Sequence, residues 1–171
     1  MIVISLIMLF FWLLGLRIWK SPISHYYWLK VYHRQFLWIF VAMLISTSSI
    51  SILKHLSNHA CPWDLTIYGG TQPLILLFGD LPLGAKPGHC FPGGHASGGF
   101  ALIAFYFGFR DSLPKAAMIG LLFGTFFGFA MGWGQMMRGA HFMSHNLWTA
   151  WIVWMLILAQ YLIWAPNAFK H

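Results

Sequence analysis

The chain is short of charge, and shortest of negative charge. Only 8% of its 171 residues are charged, while 59% are hydrophobic and 19% aromatic; a soluble domain is normally about a quarter charged. That excludes an ordinary soluble globule and predicts an integral membrane protein. The three carboxylate side chains are Asp64, Asp80 and Asp111. Magnesium sites draw on carboxylates, so no magnesium-dependent centre, and no cofactor, is expected. The formal charge of +7 does not point to nucleic acid, because the basic residues are scattered between apolar spans, as membrane topology demands. No P-loop, Rossmann fingerprint or other soluble nucleotide-binding pattern is present. No repeat of fixed period, low-complexity segment or linker divides the chain, so residues 1–171 read as a single membrane-embedded domain. Residues 1–16 lack a basic n-region and a small-residue cleavage site, which predicts a retained helix and not a signal peptide.

What is present is a series of apolar runs. The length allows about five membrane helices of roughly 20 residues each, plus loops. The runs fall at 1–19, 35–53, 95–109, 116–135 and 146–164, with a polar, aromatic loop over 21–34 and a long connector over 54–85. The fold expected is all-α, a polytopic membrane helical bundle of about five spans. Within the connector, the apolar piece 74–78 is too short to cross a bilayer and reads as interfacial or re-entrant. Glycines at 120, 124, 128 and 132 give the fourth span one flat face for a closely packed neighbour. Trp148, Trp151 and Trp154 read as interface anchors or lipid contacts.

If the spans alternate, Arg17, Lys20, Lys30, Arg34, Arg110, Lys115 and Lys170 share one side, which the positive-inside rule makes cytoplasmic. Lys54, Lys86 and Arg138 are left on the other face. With them fall His55, His59, His89, His95, His141 and His145, most of the nine histidines. This asymmetry predicts a site on the non-cytoplasmic face. Three polar stretches reach it. The first begins at Lys54 and runs through His55, His59, Cys61 and Pro62. The second is Cys90-Phe91-Pro92-Gly93-Gly94-His95, a Pro-Gly-Gly turn entering an apolar run, which reads as a loop opening a helix. The unpaired N–H groups and dipole of that helix start form an anion seat, best fitted to phosphate. The third is 135–145. If its helix runs through Gly139, then Arg138, His141 and His145 share a face with Gln135. Cys61 and Cys90 lie on the same face, so an oxidising compartment would let them pair; two free thiols are the alternative.

Two imidazoles, a lysine, an arginine and a helix N-terminus suit phosphoryl transfer without a metal. The cations and N–H groups hold phosphate oxygens, one imidazole attacks phosphorus and the other protonates the leaving oxygen. A competing reading is a metal or haem site. His55 and His59, and His141 and His145, are four residues apart, a spacing that puts two imidazoles on one helix face, with Cys61 and Cys90 as sulfur ligands.

The motifs resemble the type 2 phosphatidic-acid phosphatase superfamily, which includes the vanadium haloperoxidases. That family's first motif is Lys, six residues, Arg-Pro; here Lys54 is followed after six residues by Cys61-Pro62. Its second is Pro-Ser-Gly-His; here it stands as Pro92-Gly93-Gly94-His95. Its third is Ser-Arg, five residues, His, three residues, Asp; here His141 fits the histidine, Gln135 stands where the Arg belongs and His145 where the Asp belongs. The resemblance covers 54–145. It implies that His141 is a nucleophile forming a phosphohistidine and His95 the general acid. It also implies that His145 orients His141, and that Lys54 and the N–H groups around Gly93 and Gly94 bind phosphate. Of the two missing arginines, Arg138, one turn beyond Gln135, is expected to replace one and Lys86 the other. The expected function is then a metal-independent phosphatase or phosphotransferase for a lipid-linked phosphate of the lipid A, undecaprenyl pyrophosphate or phosphatidylglycerol phosphate class. It would be a multi-pass inner-membrane protein with its site on the periplasmic side. An inactive relative that binds a lipid phosphate without turnover is the third reading.

Overall fold

In a bilayer no water satisfies the backbone, so each apolar run must close its hydrogen bonds within itself and becomes a helix. A computed structural model describes residues 2–19 and 27–166. They form α1 (Ile2–Trp19), α2 (Tyr27–Leu56), two 3-10 turns in the connector (Pro62–Asp64 and Thr66–Tyr68), α3 (Gly94–Phe100), a third 3-10 turn (Ala101–Ile103), α4 (Ala104–Phe109), α5 (Pro114–Met137) and α6 (Met143–Ile163). Among the described residues there is no strand, only an isolated bridge between Leu65 and Gln72. Three helical stretches, Val31–Leu56, Pro114–Met137 and Met143–Ile163, are long and apolar enough to cross a membrane. The chain is therefore all-helical, with the make-up of a membrane protein. Lys20, His25, Lys170 and His171 lie outside the described residues.

Several expected boundaries move. The loop read over 21–34 is half helix, because α2 already begins at Tyr27. The same helix runs on to Leu56, so Lys54 and His55 sit in its last turn and not beyond it. The run 94–109 is α3 and α4 joined through the third 3-10 turn, not one uniform helix.

This broken column is the centre of the molecule. Phe100, Ala101, Ala104 and Phe107 are buried in it, against Trp38 and Ile39 of α2 and Val153 and Ile157 of α6. The glycine stripe of α5 faces it. A Cβ at Gly120 would lie 2.8 Å from Phe105 Cβ, one at Gly124 2.8 Å from Ile103 N, and one at Gly128 2.3 Å from the Phe100 ring. Only hydrogen fits at these contacts, so the backbones meet directly, as small-residue stripes allow in membranes. Trp154 is half-buried, with its ring 5.4 Å from Phe107 at the edge of the core. Trp151 is exposed.

The end of α5 overturns one expectation outright. The helix does not continue through Gly139. It stops at Met137, Gly139 turns left-handed at φ 70°, Gly139 N–H donates to Met136 O and Ala140 N–H donates to Gln135 O. These two bonds form a Schellman motif, in which glycine's missing Cβ removes the penalty for positive φ. His141 is therefore on a loop and His145 on the first turns of α6, so residues 135–145 share no single helix face.

The stripe yields a paired prediction. Gly128→Val should lower stability by about 1–3 kcal/mol through overpacking against Phe100. Gly134→Ala, whose Cβ would meet nothing within 4 Å, should be neutral or mildly stabilising, since Ala exceeds Gly in a helix interior by up to about 1 kcal/mol. Unfolding titrations in mixed micelles read both.

Candidate active site

The three polar stretches are sewn together in pairs. The loop leaving α2 returns alongside the segment that leads into α3. Gly88 N–H donates to Asn58 O at 3.1 Å, His89 N–H to Ser57 O at 3.1 Å and Cys90 N–H to His59 O at 2.9 Å. A Cβ at Gly88 would lie 2.3 Å from Ala60 Cα, so this approach requires glycine. Cys61 and Cys90 are joined in a disulfide, their Cα atoms 5.2 Å apart. The first stretch meets the third where Trp63 N–H donates to Gly139 O at 3.1 Å. The second meets the third where Thr149 Oγ1 donates to Gly93 O at 3.2 Å and Gly93 N–H reaches His145 O at 3.4 Å.

Within this frame lies a cavity of about 480 Å³, walled by Ser51, Lys54 and His55 of α2, His89 of the connector, Gly94 and His95 of α3 and Met131 of α5. The Lys54 ammonium stands over the start of α3: a Cβ at Gly94 would be 3.8 Å from Lys54 Nζ. Gly94 thus leaves open the place where a cation and the first N–H groups of the helical column converge. None of the lining residues is acidic.

His141 does not line the cavity. It is 5% exposed, yet close enough to Lys54 and His95 to feel both charges. Burial first, then the Lys54 ammonium and the His95 imidazole, hold its pKa down from 6.5 to about 4. Its Nδ1 lies 3.4 Å from His145 Nδ1. One of the two nitrogens must donate and the other accept. If His141 donates, its Nε2 keeps a free lone pair. His145 is buried and wedged between the Phe91 and Phe142 rings, at 5.3 and 5.4 Å.

The expected residues divide. Lys54, Gly94 and His95 share the cavity, with His141 and His145 buried beside one another. Gln135, Arg138 and Lys86 are not on its wall. Arg138 is exposed at the turn that ends α5, and Lys86 lines a separate cavity with Gln72 and Pro82. Gly93 has no room for the serine of the family pattern, because a Cβ there would lie 2.8 Å from Asn146 Oδ1. Asn146 is 1% exposed, clamped between Gly93 and Gly132, and its amide has no hydrogen-bond partner among the described residues. Nothing in the order of residues marked it. His55 and His89 were also missed as cavity residues; the signal available was their place beside Lys54 and Cys90.

The spacing read as a metal face does not hold for His55 and His59. His55 lines the cavity. His59 lies past the end of α2, with Nδ1 on Ser57 Oγ and Nε2 on Leu76 O. His141 and His145 do meet, with Cys90 Sγ near them, but Cys90 is spent in the disulfide and a disulfide sulfur is not the thiolate a metal takes.

A sequence model of the PAP2 superfamily matches residues 35–168 of the chain. No curated protein and no solved structure matches it.

Because the His141 value in the folded chain lies below its ordinary 6.5, the neutral ring contributes stability above about pH 6.5 that is lost as pH falls toward 4. Proton NMR of the His141 ring should accordingly show no titration between pH 8 and about pH 5.5. In Lys54→Met the midpoint should rise, without reaching 6.5 because burial persists. A wild-type midpoint at 6.5 would contradict the placement.

Proposed function

Because the chain belongs to the PAP2 superfamily, whose members are generally phosphatases acting on phosphate esters, we propose that it is a lipid phosphatase working through a phosphohistidine at His141. The observation that carries the reading is the seat at Gly94, where the Lys54 ammonium meets the opening N–H groups of the helical column beside His95.

The phosphate oxygens sit against Lys54 and the N–H groups that follow Gly93, which offset charge as it develops. His141 Nδ1–H donates to His145 Nδ1, leaving Nε2 as the attacking lone pair. A P–N bond forms at Nε2 while the P–O bond to the leaving group breaks. That bond's electron pair stays on the leaving oxygen, which takes a proton from His95. Water then attacks phosphorus, gives a proton back to His95, and the P–N electrons return to Nε2. No step passes through a metal. His145 in the carboxylate's place makes a weaker partner for the imidazolium than Asp would, since it brings no charge. Arg138 and Lys86 are assigned no contact with the phosphate.

The chain acts as one multi-pass domain over residues 1–171, with α1 and the column 94–109 completing five spans and the site at the periplasmic face of the inner membrane. The count of basic residues on the opposite loops supports that orientation. A site at the ends of membrane spans suits a substrate with an acyl or prenyl anchor, of the lipid A, undecaprenyl pyrophosphate or phosphatidylglycerol phosphate kind.

Purified protein should release phosphate from such a lipid with chelator present. His141→Ala should abolish release, and His95→Ala should slow it by about 10²–10⁴-fold. Turnover that survives His141→Ala would remove the mechanism.

A further inference from the structure

The seat at Gly94 occupies one side of the cavity, and Lys54, His95 and the helix start satisfy one phosphoryl group. Two imidazoles on the same wall are left over. His55 follows Lys54 on α2, and His89 comes from the connector; their ring centroids are 6.4 Å apart and both rings are exposed to the cavity. His59, by contrast, is hydrogen-bonded through both ring nitrogens.

The backbone of His89 is set at a cost. It is the one non-glycine residue among those described with positive φ, at 50°. A non-glycine residue there carries strain of about 1–3 kcal/mol, and such strain gathers at ligand sites. The three backbone bonds of Gly88, His89 and Cys90 to the loop after α2, with the disulfide one residue on, hold it in that conformation. The outcome is an imidazole delivered to the cavity wall facing His55. With no acidic residue on that wall to occupy them, the two rings have N–H donors to offer to an anion.

We infer that His55 and His89 form a second anion subsite beside the Gly94 seat, and that the site takes a headgroup carrying two adjacent phosphoryl groups. The reading rests on the proposed phosphatase, in which the group at Gly94 is attacked by His141. The second group, held by His55 and His89, departs with the bridging oxygen. When the P–O bond to the bridge breaks, its electron pair and the proton from His95 go to that oxygen, and the imidazole N–H groups hold the departing phosphate.

Binding separates this inference from the mechanism. The probes are inorganic phosphate and methylenediphosphonate, which resists hydrolysis, titrated calorimetrically into the full-length protein in detergent. Wild type should bind the diphosphonate at least about tenfold more tightly than phosphate, the worth of one charge-assisted hydrogen bond. His55→Ala with His89→Gly, the glycine chosen because it tolerates positive φ, should bring the two affinities within about twofold, as the loss of both donors requires. His141→Ala should keep the wild-type preference. Equal affinities in wild type, or a preference that survives the double substitution, would overturn the subsite. So would a double variant that weakens both anions alike while its unfolding transition stays intact. Loss of turnover in wild type with the binding preference retained would count against the phosphatase reading alone.

Discussion

The tie between the end of α2 and the entry to α3 is the constraint from which the site follows. Three backbone hydrogen bonds and the Cys61–Cys90 disulfide clamp 57–61 to 88–90. A cross-link closing a loop of 29 residues restricts the unfolded chain by about 3–4 kcal/mol on the entropic account. Its structural consequence is larger. Apart from Met131 of α5, every residue lining the cavity lies within six positions of this clamp. Lys54 is brought over Gly94, His89 is turned against His55, and Cys90 is set beside His141.

The second governing fact is the lack of counter-charge. A cavity with a lysine, three histidines, a helix start and no carboxylate holds its positive potential without internal pairing. The burial of His141 itself, with the nearby Lys54 and His95, holds its pKa down to about 4. On the proposed mechanism, electrostatics do two things together: they attract an anion and keep a lone pair on His141. An acidic residue on this wall would weaken both.

Much of the frame was legible in the sequence. Apolar lengths gave an all-helical membrane protein, and the glycine stripe of α5 implied a close neighbour, which is the column 94–109. The alternation of spans implied that Lys54, His95 and His141 arrive at one end. What was not legible depends on loops. Gly139 was treated as a position the helix could pass through, although a glycine followed by a change of pattern is the usual mark of a left-handed cap. That misreading put Arg138 on the face of His141. His89 is the loop residue it was read as, but its place on the cavity wall was hidden, because positive φ in a non-glycine residue leaves no trace in composition. Asn146 was invisible because its place is defined by two glycines, 93 and 132, from different segments.

An experimental structure with orthovanadate bound tests the central claim most directly. Vanadium should sit within bonding distance of His141 Nε2, with equatorial oxygens on Lys54 Nζ and the N–H groups after Gly93 and the apical oxygen toward His95. Vanadate seated elsewhere, or held in the cavity with His141 turned away from it, would contradict the account.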